Sequence, residues 1–206
     1  MTTLTPNPPT GTGAALITDT FTGTDGTALA TYNAAYSTFG TGSEINGNKA
    51  RLSSSASAGG AVRDTGATDH EVSIDIVLPA NPVSGDWFCG PVVRYVDSNN
   101  HLNARFLYQT NSPEVEVCAV VGGVATVVNF YNLGAGNLAG STTHRLRMAA
   151  KGAEVAIYWT NLTSGTAEKL IHQYTTTLLT GTKAGYAITS PASGQPTFDN
   201  LSVKAT

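Results

Sequence analysis

Charge is scarce in this chain. Asp, Glu, Lys and Arg together make up 12% of its 206 residues, about half the usual quarter. The net charge of -3 gives no electrostatic case for a nucleic-acid partner or an anionic membrane surface. No apolar run approaches the length needed to span a bilayer. The opening MTTLTPNPPTGTGAALITDT has neither the basic region nor the apolar core of a secretory signal. Cysteine is limited to Cys89 and Cys118, too few for a disulfide framework. Pairing the flanking strands about their turns puts both on one face with a strand between them, beyond disulfide reach. They are expected to be buried thiols. His70, His101, His144 and His172 stand far apart, with no paired metal-ligand spacing. No serine has a Gly-x-Ser-x-Gly context, and no phosphate-cradling loop precedes a helix.

What is present is strand chemistry. From Trp87 to Phe130, four apolar runs are separated by DSNN, TNSP and GG. Asn, Asp and Gly tolerate the backbone of tight turns, so the stretch predicts an antiparallel meander. Ala14 to Thr22 reads as the first strand, with Ile17, Asp19 and Phe21 opposite Leu16, Thr18, Thr20 and Thr22. Ala28 to Tyr36 is Ala-rich and long enough for a helical turn only. Ser43 to Ser54 is a strand interrupted at Asn46-Gly47-Asn48, and Gly60 to Asp64 is another short one. His70 to Leu78 alternates cleanly, placing Val72, Ile74, Ile76 and Leu78 inward and Glu71, Ser73 and Asp75 outward. In His144 to Ala150, Leu146 and Met148 face in and Arg145 and Arg147 out. Glu154 to Thr160 sets Val155, Ile157 and Trp159 against Glu154, Ala156 and Tyr158. Further strands are Lys169 to Tyr174 and Ala184 to Thr189. Thr197 to Ala205 sets Phe198, Asn200 and Ser202 against Asp199, Leu201 and Val203. The pattern predicts an all-β, two-sheet antiparallel jelly-roll sandwich over residues 14–206. Residues 1–13, with three prolines and almost nothing apolar, form an extended N-terminal arm. The arm is either a loose terminus or a tether that becomes ordered on a neighbouring subunit.

Five pieces occurring in order carry a family resemblance: DTFTGTDGTAL (Asp19 to Leu29), INGNKARLSS (Ile45 to Ser54), GPVVRYVDSNNHLNARF (Gly90 to Phe106), KAGYAI (Lys183 to Ile188) and FDNLSV (Phe198 to Val203). Together they resemble the concanavalin A-like lectin/glucanase sandwiches, in the laminin-G-like form of bacteriophage tail and other virion proteins. Similar domains are appended to bacterial glycosidases. The resemblance implies two curved antiparallel sheets with the first and last strands side by side. It does not imply a single function.

Three kinds of chemistry are weighed on this frame. A glycosidase needs two carboxylates flanking the scissile bond. Glu114 and Glu116 share a strand face, and the family's glucanases use a motif resembling Glu-x-Asp-x-x-Glu. Here Cys118 and Ala119 follow with no third acid, so the pair reads as solvated and the chain as a non-enzyme. A structural calcium would draw on Asp19, Asp25 and Asp199, of which pairing of the first and last strands would bring Asp19 and Asp199 near the seam. No other cofactor is expected. A glycan site wants exposed rings and a few polar groups. The ring candidates are Trp87, Tyr95, Tyr108, Tyr131, Tyr158 and Trp159. Arg94, Asn103 and Arg105 are their polar companions, and the two arginines either contact ligand or bridge strands.

The resemblance, the low charge and the arm lead to one expectation. The chain is a non-enzymatic bacteriophage virion protein, a minor tail or adsorption component with a lectin-like sandwich. It would sit on the virion surface, contact other virion proteins through its arm, bind host cell-surface glycan and form a homo-oligomer. The alternatives are a capsid decoration protein of the same fold, or a secreted carbohydrate-binding module or glycosidase.

Overall fold

The computed structural model describes residues 8–10, 13–54, 58–81, 88–108, 112–177, 179–189 and 194–206. The elements in order are β1 (Ala15–Asp19), α1 (Leu29–Tyr32), β2 (Tyr36–Gly40), β3 (Ser43–Ile45), β4 (Ala50–Leu52), β5 (Ala58–Asp64), β6 (His70–Val77) and β7 (Phe88–Asp97). They continue with β8 (Asn100–Leu107), β9 (Glu114–Val121), β10 (Val124–Asn132), β11 (Thr143–Lys151), β12 (Glu154–Asn161), β13 (Lys169–Thr175), β14 (Lys183–Thr189) and β15 (Thr197–Ala205). The strands pair antiparallel in two sheets. The back sheet runs β13-β12-β11-β6-β15-β4-β3, with β1 also on β15, and the front sheet runs β10-β9-β8-β7-β14-β5-β2. The expected sandwich, its meander and the adjacency of first and last strands are all present. No helix among the described residues is long and apolar enough to cross a membrane.

Period-two alternation builds the core between the sheets. β6 contributes Val72, Ile74 and Ile76, β11 contributes Leu146 and Met148, and β8 answers with Leu102, Ala104 and Phe106, all fully buried. Tyr186 of β14 stacks on Phe198 of β15 at 4.3 Å between ring centroids, joining the two layers. Each such aliphatic side chain contributes about 1.5–3 kcal/mol by burial. The outward acids of β6 do not reach solvent, however. Glu71 and Asp75 are 5% and 4% exposed, because the outward arginines of β11 lie across them. Arg145 meets Asp75 at 2.6 Å and Arg147 meets Glu71 at 2.6 Å. The described part of the arm covers the same face. Pro9 is buried, and its carbonyl accepts the Tyr158 hydroxyl at 3.2 Å. Residues 8–10 therefore lie on the chain's own back sheet.

Three local readings are corrected. β2 is a strand where composition predicts only a helical turn nearby, and it carries Phe39. In β15, Asn200 adopts a left-handed φ of 49° and the register to β6 shifts between Asp199 and Ser202. That extra step brings Leu201 and Val203 onto the core face with Phe198. The two thiols lie on opposite faces. Cys89 pairs with Phe106 and is core, whereas Cys118 pairs with Asn103 on the outer face. Both are free and buried, as expected.

Candidate functional site

The outer face of the front sheet is hollowed by a cavity of about 350 Å³. Its cause is a single cross-strand row. Phe39 of β2 pairs with Gly60 of β5, Gly60 with Ala187 of β14, and Ala187 with Gly90 of β7. Ala187 and Gly90 thus leave the backbone of β14 and β7 as the floor, while the Phe39 ring lies over Gly60. The glycines cannot be exchanged. A Cβ on Gly60 would stand 2.2 Å from the Tyr186 carbonyl oxygen and 2.6 Å from the Phe39 ring. One on Gly90 would stand 2.0 Å from the Ala104 carbonyl oxygen. A Gly-lined floor is what lets a ligand approach main chain closely.

The walls are aromatic and polar. Phe39 stacks on Tyr95 at 5.1 Å, and Tyr95 leans on His101 at 5.6 Å. Opposite them the Arg105 guanidinium lies 3.7 Å over the Phe88 ring. Arg105 also holds Glu116 of β9, through Nε at 3.0 Å and Nη2 at 2.9 Å to one carboxylate oxygen. Asn103 and His101, two apart on β8, point the same way and line the cavity. They are 5% and 6% exposed, yet the Asn103 amide oxygen and His101 Nδ1 have no hydrogen-bond partner among the described residues. Burial lowers the His101 pKa, against an opposing pull from the Asp97 backbone and carboxylate. A buried carbonyl left unpaired costs about 1–3 kcal/mol, so this pair marks where a hydroxyl-bearing ligand would be gripped.

The sequence candidates divide between this cavity and other places. Arg105 and Asn103 are in it, while Trp87 lies outside the described residues. Arg94 is not in it. With a left-handed φ of 51°, Arg94 interrupts the alternation of β7 and sends its side chain to the end of the sandwich. There it meets Asp69 at 3.2 Å, the Thr68 carbonyl at 3.3 Å and the Gly152 carbonyl at 2.5 Å. It is 4% exposed and serves as a strut between sheets. Tyr108, Tyr131 and Trp159 pack against the core, and Tyr158 lies under Arg147 on the back face. Glu116 is buried in its ion pair and not solvated as the sequence suggests, while Glu114 accepts from Ser112 at 3.4 Å.

The three aspartates do not converge into a calcium site. Both carboxylate oxygens of Asp19 are occupied, by the Tyr32 hydroxyl at 2.8 Å, the Tyr36 hydroxyl at 2.9 Å and the Phe21 N–H at 2.7 Å. Burial first, and then its hydrogen bond to Asp19, push the Tyr32 hydroxyl up to about 12. Asp25 holds the Gly47 N–H and Asp199 the Asn200 N–H. Among the described residues no group of three or more His, Cys, Asp or Glu side chains could hold a metal ion.

The cavity residues that sequence reasoning missed are Phe39, Phe88, His101 and the Gly/Ala floor. Phe88 sits beside the chosen Trp87, and only cross-strand register identifies the floor.

No protein-family model and no curated protein matches the chain. Solved structures do. The carbohydrate binding module CBM66 from Bacillus subtilis superposes with a TM-score of 0.58 at 16% identity, over 83% of this chain and 96% of that one. The exoplasmic/lumenal domain of VIP36, in a form bound to Ca2+ and Man3GlcNAc, gives 0.65 at 11% identity over 87% of each chain. A xylan β-1,4-xylosidase from Bacillus halodurans C-125 gives 0.60 at 16% identity over 79% of this chain, which spans only 34% of the enzyme. The chain has the concanavalin A-like jelly-roll fold, and at these identities the likeness reaches the fold alone.

Proposed function

We propose that this chain is a non-catalytic carbohydrate-binding sandwich whose ligand occupies the front-sheet cavity. One observation carries the reading. A floor of Gly90 and Ala187 between aromatic walls holds a buried amide oxygen with no hydrogen-bond partner among the described residues, which suits a sugar ring that stacks on one side and donates a hydroxyl on the other. The neighbours add support, since one is named as a carbohydrate binding module and another was solved with a mannose-containing glycan. The non-catalytic part rests on the absence of Asp or Glu from the cavity lining among the described residues and on the engagement of Glu116 by Arg105. The setting we propose is a virion surface with the arm as attachment element. It is supported by the order of the five sequence pieces and the low charge, and by none of the structural neighbours.

Asn103→Val separates binding from folding. The variant removes an orphaned carbonyl, so its melting temperature is expected to rise slightly. It also removes the ligand's acceptor, so glycan affinity should fall by about 1–3 kcal/mol. Arg105→Ala is less clean, because it strands Glu116 in a buried position and lowers stability together with affinity. Glycan-array screening followed by calorimetry on the positive sugars tests this. Failure to bind any glycan, or unchanged affinity in Asn103→Val, would sink the reading. Reducing-sugar release by the wild type, lost in Glu116→Gln, would overturn its non-catalytic part.

A further inference from the structure

The row that forms the cavity floor does not stop at the cavity. Beyond Gly90 it continues through Arg105 of β8, whose Cα lies 3.0 Å from the Gly90 Cβ position. Arg105 pairs with Glu116 of β9, and Glu116 with Phe130 of β10. One residue from each of seven strands thus lines up across the whole front sheet, with a phenylalanine at either end. Six interstrand steps of about 4.8 Å make the row roughly 29 Å long, more than a monosaccharide or disaccharide can cover.

Phe130 reaches this row through a defect. Val127 pairs with Cys118, but Asn129 pairs with Val117, so Val128 is an extra residue in β10. Unbroken alternation would place Asn129 opposite Glu116 on the outer face. The bulge substitutes Phe130, a use such insertions have elsewhere in re-aiming a side chain. Phe130 is 56% exposed, and its N–H is held by Asn129 Oδ1 at 2.9 Å. Between the cavity and this ring stands the Arg105–Glu116 pair. Glu116 uses one oxygen, Oε2, for both arginine nitrogens and for the Cys118 thiol. The pair is neutral as a unit, so the row offers no net charge to an anionic chain.

We infer that the ligand is an extended neutral polysaccharide chain lying across the strands from Phe39 to Phe130, with Phe130 as a second stacking platform outside the cavity. This rests on the carbohydrate reading above. The platform makes the site sensitive to chain length: short sugars fill the cavity alone, and longer ones gain the far ring.

The test is calorimetry with xylo-, manno- and cello-oligosaccharides lengthened stepwise from the disaccharide, on wild type and Phe130→Ala. Affinity is expected to climb with length to a plateau. Phe130→Ala, a surface change, should lower the plateau by roughly tenfold and leave disaccharide binding as it was. Deleting Val128 closes the bulge with Phe130 still opposite Glu116, so the gain with chain length should survive it. Oligosaccharide binding that is independent of length and indifferent to Phe130→Ala overturns the inference while the carbohydrate reading stands. Binding to none of the oligosaccharides overturns both.

Discussion

Acidification from pH 7 to pH 4 is expected to remove about 3 kcal/mol of folding stability through His144 alone. Burial holds its pKa down to about 4, from 6.5. Trp159 Nε1–H points at His144 Nδ1 from 3.3 Å, while Nε2 lies 2.8 Å from the Thr142 hydroxyl. Thr142 in turn donates to the Ala139 carbonyl. Nδ1 must therefore accept and Nε2 donate, and a second proton would be driven against the indole N–H. The unfolded chain takes up its proton near pH 6.5 and the folded chain only near 4. Stability from this group is complete above 6.5, falls through that window and is flat below it. His70, His101 and His172 also have lowered pKa values, with burial the leading cause, and act with the same sign. Urea denaturation at a series of pH values reads the effect. His144→Gln should be less stable at pH 7 yet show a shallower decline between pH 6.5 and 4. An unchanged profile in that variant would remove His144 from the account.

Arg94→Ala is expected to cost about 2–3 kcal/mol and to leave glycan affinity alone. Its guanidinium is the donor to the Thr68 and Gly152 carbonyls, which lose a partner at the end of the sandwich. The charge left behind is the smaller part of the loss, because the Asp69 side chain is 39% exposed and keeps much of its hydration. Denaturation midpoints alongside calorimetry decide the matter. Wild-type stability with lost binding would return Arg94 to the ligand site.

Arg94 also shows where the sequence stopped being readable. The core faces of β6 and β11 follow from alternation and stand as expected, since each keeps one register along its length. The errors lie at the backbone defects. Arg94 and Asn200 take left-handed φ values without being glycine, and Val128 is a bulge residue. Each adds one step to a period-two pattern and exchanges the two faces beyond it, and residue type alone does not mark these positions. Asn103 and Arg105 were legible as polar residues amid apolar strand. The floor of Ala187 and Gly90 was not, because it comes from two strands distant in sequence and exists only through their register.

The pairing of β1 with β15 has a mechanical consequence. Ala15 lies opposite Lys204, and the Gly13 N–H reaches the Ala205 carbonyl, so the two strands leave the sandwich side by side at the same end. Tension applied through both ends loads the outermost hydrogen bonds first and opens the pair in sequence, like a zipper, where strands pulled from opposite ends would resist in parallel. Held at both ends, the domain would peel from this seam, with the front sheet and its cavity the last part to feel the load.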